Sequence, residues 1–394
     1  MADDVETPPW VFILRQLEHV WTDAELVPLW WDKYRENYAS VNSRHTYGLL
    51  FDNSIVQRLH SLLQISRRVV SQKSLRRWHG PFDPGLVLPK DIMVRPVAEG
   101  VVAISASNGC VLKAGNKGWR KKGIETEIKS YAAVKAAGIE AHVPRILEDG
   151  KIKSGGYWIA SEFVPNTRPL TIKMGRKAWQ QWLRYECLPT MEPFYEEEGV
   201  QKHTTDELLD EQLEWIEANG VPEPLLALSH KAREARPAGG GSVLHTAKIH
   251  GDIWPPNVHR DKHNWWLLDW ERTYRHEILY EALHWYFGDP TQHKDKEVLW
   301  AWLQGETSHS GLPRRVRDDL ELFMDWHNTW LDAHIDSESL RYQMLVCLVR
   351  DIRNRVKATN SILRVTGGTE LCDLFDHPDY LVALTARQFS LLQD

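Results

Sequence analysis

The sequence predicts an α+β chain in two lobes: a small antiparallel-sheet lobe, then a mostly helical lobe, with a helical extension ahead of both. Three observations carry this. Between residues 91 and 165, β-rich runs alternate with turn signals around a single charged helical stretch. After Pro165 the apolar residues recur mainly at helical spacing. The chain has 394 residues, 42% hydrophobic and 26% charged, which is enough for two cores. The expected divisions are 1–90, 91–165 and 166–394.

Residues 1–90 read as helical. Asp52-Asn53-Ser54 is a plausible cap, followed by Ile55, Leu59, Leu62, Leu63 and Val70 at helical spacing. From Ser54 to Phe82 there is no acidic residue, whereas Arg58, Arg67, Arg68, Lys73, Arg76 and Arg77 are basic. An amphipathic helix with its charges in solvent accounts for this, and so would docking on an anionic surface. Pro81, Pro84, Gly85 and Pro89 then break the pattern.

The next segment changes period. Ile92-Met93-Val94, Val101-Val102-Ala103-Ile104 and Cys110-Val111-Leu112-Lys113 read as strands, with turns at Glu99-Gly100 and Asn108-Gly109. A charged helix is expected from Ile124 to Ala137, closed by Gly138, and a strand at Tyr157-Trp158-Ile159-Ala160-Ser161. Beyond Pro165 the helical pattern is interrupted by the linker Pro237-Ala238-Gly239-Gly240-Gly241-Ser242. No strand leads into those glycines and no Lys-Ser/Thr follows them, so they are not a phosphate loop.

The net charge of −6 argues against a nucleic-acid binder. Four scattered cysteines without a paired spacing fit neither a disulfide framework nor a zinc site. The acidic start lacks an apolar signal, and no apolar run reaches the roughly 18 residues of a membrane span. A soluble, cytoplasmic protein is the expectation.

The chemistry concentrates at His250-Gly251-Asp252-Ile253-Trp254-Pro255-Pro256-Asn257, followed by Leu268-Asp269-Trp270-Glu271. A carboxylate, an amide and a second carboxylate lie within twenty residues. Phosphoryl transfer uses such a set, one Asp to orient the attacking hydroxyl and an Asn and an Asp to hold Mg²⁺. Asp252 and Asn257 have the kinase catalytic-loop spacing, Asp followed by four residues and then Asn. The run Asn264 to Leu268 is the strand that would deliver Asp269. His259-Arg260-Asp261 spells a protein-kinase triplet, but Trp266, not Asn, stands five residues after its Asp. His259 and His263 have zinc-pair spacing without the Glu that should follow the first His.

On these motifs the chain resembles the aminoglycoside phosphotransferase and choline kinase superfamily, with its H-G-D-x-x-x-x-N loop and D-W-E metal motif, over roughly residues 91–300. The resemblance implies a bilobal protein-kinase-like fold and a Mg²⁺-dependent transfer from ATP or GTP to a small-molecule hydroxyl. It implies that Asp252 is the catalytic base or hydroxyl-orienting group, with His250 bracing the loop, and that Asn257 and Asp269 bind the metal. Lys113 at the end of a strand would pair with the α- and β-phosphates, with Glu127, favoured over Glu125, as its partner; Lys117, Lys121 and Lys122 are weaker candidates. Glu162, Phe163 and Val164 match the hinge against which adenine sits. Gly100, in Ala98-Glu99-Gly100-Val101, is the single glycine of the nucleotide loop.

The acceptor stays open among aminoglycoside, choline-like and sugar-amine classes. Eleven acids between Glu186 and Glu217, against Lys202 alone, would suit a cationic acceptor, with Trp270, Trp285 and Tyr286 as walls. Trp254 is similar to the H-G-D-L-W of ketosamine kinases, and Arg272 to Glu277 lacks the family's usual Gly-Pro and Asp stretch. The alternative is a pseudokinase or regulatory nucleotide-binding protein whose N-terminal extension engages a partner.

Overall fold

The computed structural model describes residues 8–32, 37–40, 78–82, 84–97, 100–153, 155–164, 168–169, 181–219, 223–237, 241–253, 257–281 and 293–366. The chain divides into two compact units, one of residues 1–170 with 258–272, the other of residues 171–257 with 273–394. The first is built on an antiparallel sheet and the second is mostly helical, an α+β composition.

In the first unit, helix α1 (Pro9–Arg15) is followed by strands β1 (Ala24–Leu26), β2 (Leu29–Asp32), β3 (Asn37–Ser40), β4 (Trp78–Phe82) and β5 (Val87–Pro89). Then come β6 (Met93–Val97), β7 (Gly100–Ser105), β8 (Cys110–Gly115), helix α2 (Gly118–Ala136), β9 (Ile146–Lys151) and β10 (Tyr157–Glu162). One eight-stranded sheet runs in the order β4-β2-β3-β6-β7-β8-β10-β9, and its pairs are antiparallel. The Asn108-Gly109 turn behaves as its sequence demands, with Gly109 at φ +60° between β7 and β8.

The expectation of a helical extension over residues 1–90 needs correction. Among the described residues of that span the one α-helix is α1, and β2, β3 and β4 lengthen the sheet through β3 pairing with β6. Strands of three to five residues hold too few repeats for a period to show, and their partners are distant in sequence, so pairing decides them where local pattern cannot. Nor does residue 90 separate two cores. Trp10, Val11, Ile13 and Leu14 of α1 share one buried cluster with Leu88, Val94, Val101, Leu112, Ala114 and Trp158. The capped, basic helix expected over 54–77 lies outside the described residues.

Leu14 is completely buried in that cluster. Leu14→Ala should therefore cost about 2–5 kcal/mol, the transfer term plus the cavity left behind. An unchanged melting temperature for this variant would show that α1 is not part of the lobe core.

Helix α2 begins at Gly118, six residues earlier than its charge pattern suggested, and ends where Gly138 at φ +70° stops it. Gly123 lies inside it despite the helix penalty of glycine, because a Cβ there would come to 3.3 Å from Glu271. Strands β14 (Val258–Arg260) and β15 (Trp265–Leu267) form a hairpin in this unit, with β11 (Arg168–Pro169) alongside β14. The turn of that hairpin is an Asx turn: Asp261 Oδ1 accepts from the amides of His263 and Asn264. His259 therefore belongs to strand β14 and His263 to the turn beyond it.

The second unit contains helices α3 (Leu188–Glu197), α4 (Thr205–Asn219), α5 (Glu223–Glu234), α6 (His293–Leu303), α7 (Arg314–Leu331) and α8 (Ser337–Thr366). A small sheet in the order β12-β13-β16 joins Gln201–Thr204, Val243–Ile249 and Tyr274–Glu277. Strand β13 is the lead-in to His250, and five of its seven residues are buried. No helix among the described residues is long and apolar enough to cross a membrane. Cys110, Cys187 and Cys347 are buried free thiols.

Two buried histidines brace this unit. His245 on β13 and His327 on α7 meet edge to face at 5.0 Å. Burial, with Lys202 nearby, lowers His245 to about 4, and burial with His245 nearby lowers His327 to about 3. Both are neutral in the fold, whereas an unfolded histidine binds its proton near pH 6.5. Stability is therefore whole above pH 6.5 and is lost as pH falls toward 4, at about 1.4 kcal/mol per pH unit for each ring. His245→Phe should remove half of that slope between pH 6 and 4 in denaturant titrations; a slope equal to the parent's would rule the pair out as its source.

Candidate active site

The candidate residues fall in both units. In the first, β8 places Lys113 and helix α2 places Glu127, whose carboxylate oxygens lie 3.0 and 2.9 Å from the Lys113 ammonium. Of the two glutamates weighed from sequence, Glu127 is the one that reaches Lys113, since Glu125 pairs with Lys129 on the exposed face. Helical spacing explains this: residues two apart lie on different faces.

Asp269 is the second partner of Lys113, with Oδ1 at 2.7 Å. It follows β15 and sits at φ +67°, a conformation that costs most side chains but that Asp tolerates. The buried Trp270, whose indole donates to Leu267 O at 2.9 Å, pins the turn that holds it there. Burial works against the Lys113 ammonium, but Asp269, Glu127 and Glu271 outweigh it and hold its pKa above that of an ordinary lysine.

Glu271 completes a carboxylate cluster, since one oxygen from each of Glu127, Asp269 and Glu271 lies within 4.8 Å of the others. Three carboxylate oxygens suit a hard divalent cation. Burial first, then the charge of Asp269, pushes Glu271 up to about 7, against the pull of Arg120 and Lys113. Arg120, 5% exposed, donates from Nη1 to Glu271 Oε2 at 2.5 Å. Sequence reading considered Lys117, Lys121 and Lys122 and missed Arg120; the available signal was that its helix starts with no acid in the first turn.

Gly100 lies directly across from Gly115 in the β7–β8 register. A Cβ on Gly100 would come within 2.9 Å of Arg120 Cγ, and one on Gly115 within 2.7 Å of the same atom. Ala98 and Glu99, the rest of the expected loop, lie outside the described residues. In the hinge, the Glu162 amide donates to Arg145 O at 2.8 Å and the Phe163 amide to Gly109 O at 2.7 Å. Phe163 is buried, Val164 half-buried and Glu162 exposed. A base docking here would meet carbonyls and side chains instead of those two N–H groups.

The second unit holds the catalytic-loop residues. Gly251 takes φ +77°, a turn open to glycine. The Asp252 amide donates to His250 Nδ1 at 3.2 Å, which places the histidine proton on Nε2. His250 is completely buried, so it braces the loop from beneath. Asn257 Nδ2 donates to Asp252 Oδ2 at 2.8 Å and to Asp252 O at 3.1 Å. Both partners are acceptors, so the amide nitrogen must face them, and its oxygen is left as the atom that could ligate a cation. Trp254, Trp285 and Tyr286 lie outside the described residues, and Trp270 is buried as a structural residue of the first unit, not as a wall for an acceptor.

Glu281 was not found from sequence. It is 3% exposed, and its Oε1 accepts from the Gly251 amide at 3.0 Å. Burial raises it to about 7, with the Gly251, Ile253 and His250 amides opposing and Asp252 adding to the rise. The signal was present: a lone acid within Ile278-Leu279-Tyr280-Glu281-Ala282-Leu283 must find partners if that run is buried. On the adjoining strand, His276 and Arg350, the latter at 2.8 Å, hold the fully buried Glu277 at about 2 in spite of its burial.

The acidic run is less available than its composition suggests. Glu198, Asp206, Asp210, Glu211 and Glu217 pair with Lys248, Arg236, Arg353 and Arg233, and Glu207 caps the Thr204 amide. Glu192 and Glu196 accept from the indoles of Trp326 and Trp330 at 2.8 and 2.9 Å, and those two rings stack at 5.2 Å.

The model of the phosphotransferase enzyme family matches residues 101–318, more than half of the chain. A search of curated proteins returns no match. Solved structures similar to the chain include a choline kinase from Streptococcus pneumoniae, 12% identical, TM-score 0.41, covering 74% of this chain and 88% of that one. A thermostable aminoglycoside phosphotransferase mutant bound to AMP-PNP and hygromycin B is 13% identical, TM-score 0.39, over 69% and 88%. A glucosamine kinase is 13% identical, TM-score 0.38, over 76% and 77%.

Proposed function

This chain belongs to the phosphotransferase enzyme family, and on that premise we propose that it moves the terminal phosphoryl group of ATP or GTP to a hydroxyl of a small molecule, with Mg²⁺. The observation that carries this reading is the Lys113–Glu127–Asp269 cluster, a half-buried cation held between two carboxylates in the same unit. A structural ion pair needs one carboxylate. Two, with a third from Glu271 close by, leave oxygens over for a divalent ion.

In this reading Lys113 would bind phosphate oxygens, positioned by Glu127; Asp269, and by the family motif Asn257, would each offer a metal-ligating oxygen. Asp252 accepts a hydrogen bond from the acceptor hydroxyl, orients it for in-line attack and takes its proton as the new P–O bond forms and the bond from the γ-phosphorus to the β–γ bridging oxygen breaks, releasing ADP or GDP. Its carboxylate keeps one aim because Asn257 Nδ2 donates to it, while the Asp252 amide donates to His250 Nδ1 and the Gly251 amide to Glu281 Oε1. The bound Mg²⁺ nucleotide supplies the phosphoryl group and the charge neutralisation that transfer requires.

For the acceptor, we favour a cationic small molecule on the excess of acids between Glu186 and Glu217, of which Glu192 and Glu196 are already bonded to the indoles of the buried Trp326 and of Trp330. The acids paired within the unit add little to that attraction. The deciding experiment is a nucleotide-turnover screen of the purified chain with Mg²⁺ across aminoglycosides, choline-like amines, amino sugars and neutral sugars. Turnover with a hydroxyl-bearing amine is the expected result. Nucleotide binding without turnover on any acceptor would instead favour a pseudokinase.

A further inference from the structure

The small lobe lacks a glycine-rich phosphate cradle, with Gly100 alone in the expected loop. The same place holds an arginine. Gly100 and Gly115 face each other across β7 and β8; a Cβ on Gly115 would meet Arg120 Cγ first, at 2.7 Å, and one on Gly100 would meet Ala114 O at 2.3 Å and then Arg120 Cγ at 2.9 Å. The two glycines thus form a slot that fits this side chain. The slot leads to the carboxylate cluster, where the Arg120 guanidinium meets Glu271 while the Lys113 ammonium meets Glu127 and Asp269. Two cations therefore share three carboxylates.

We infer that Arg120 is a second phosphate-binding cation of the nucleotide site, an inference that rests on the phosphotransferase reading above. With a divalent ion bound, Asp269 and Glu271 would offer it their carboxylate oxygens, and the Arg120 guanidinium would lose its hold on Glu271. The glycine slot keeps the arginine head within reach, and the fork turns to the phosphate oxygens that arrive with the metal. A guanidinium binds phosphate through paired N–H donors, which an ammonium cannot do. Arg120 thus supplies from a side chain the donors that a glycine-rich loop supplies from its backbone. A purely structural Arg120–Glu271 bridge accounts for the burial.

The test compares nucleotides that differ in phosphate number. The full chain is titrated calorimetrically with the Mg²⁺ complex of AMP-PNP or GMP-PNP, whichever the parent binds, and with the matching monophosphate. Arg120→Gln should weaken the triphosphate analogue by about tenfold or more and leave the monophosphate within about twofold. Arg120→Lys keeps the charge without the fork and should give a several-fold loss confined to the triphosphate. If Arg120→Gln shows no folding transition, Arg120→Lys alone decides. An unchanged triphosphate-to-monophosphate ratio, or a higher triphosphate affinity, overturns the inference and leaves the kinase reading standing. A parent chain that binds neither nucleotide overturns both.

Discussion

Asp252→Asn should lower turnover by about 10²- to 10⁴-fold, the range that a positioned general base contributes, with nucleotide affinity and melting temperature close to the parent's. The substitution keeps the shape of the side chain, and its Oδ1 can still accept the bond from Asn257 Nδ2, 2.8 Å from the carboxylate now. The backbone amide of residue 252 can still donate to His250 Nδ1, so the loop keeps its form. What disappears is the charge that orients and deprotonates the acceptor hydroxyl. Single-turnover and steady-state rates with the acceptor found in the screen measure this. Full activity in the folded variant would remove Asp252 from the mechanism.

Asp269→Asn should lower Mg²⁺-dependent turnover by on the order of 10³-fold and blunt the metal dependence of nucleotide binding. Asparagine is, with Asp, the residue that tolerates the φ +67° backbone here, so the turn after β15 survives. Lys113 retains Glu127, both of whose oxygens lie within 3.0 Å, so the lysine is not left as a lone, half-buried charge. The loss should therefore follow from the weaker ligand and not from unfolding. Calorimetry at several Mg²⁺ concentrations, with a melting curve alongside, reads the two separately. A metal dependence identical to the parent's would show that Asp269 holds no cation. By the same logic Glu127→Gln should act on nucleotide affinity through Lys113, because it contacts the lysine directly.

The parts of the site legible in the sequence were those whose chemistry is local. Asp252 and Asn257 are five residues apart on one loop and are hydrogen-bonded to each other. Asp269 follows an apolar strand that the run Trp265 to Leu267 announced. Glu127 is preferred to Glu125 on the family resemblance, which sets that Glu four residues before an apolar or aromatic position, here Tyr131. The parts that were not legible depend on distant partners. Arg120 and Glu271 are 151 positions apart, and Glu281 lies 30 positions from the Gly251 amide that it accepts from. The acids of residues 186–217 counted as a field until their Arg and Lys partners on other elements were seen.

By itself the sequence determined the chemistry on offer and part of the local geometry that presents it: strands β6, β7, β8 and β10, the helix between β8 and β10, the spacing of His250, Asp252 and Asn257, and the strand that carries Asp269. These follow from steric and periodic rules acting over a few residues. Tertiary structure alone decided that β2, β3 and β4 extend the small-lobe sheet and that α1 packs in its core. It alone decided that Gly100 and Gly115 frame Arg120, and that two cations stand on three carboxylates. The physical reason is the same in each case. Strand pairing, burial and charge neutralisation are set by neighbours in space, and a linear pattern does not record who those neighbours are.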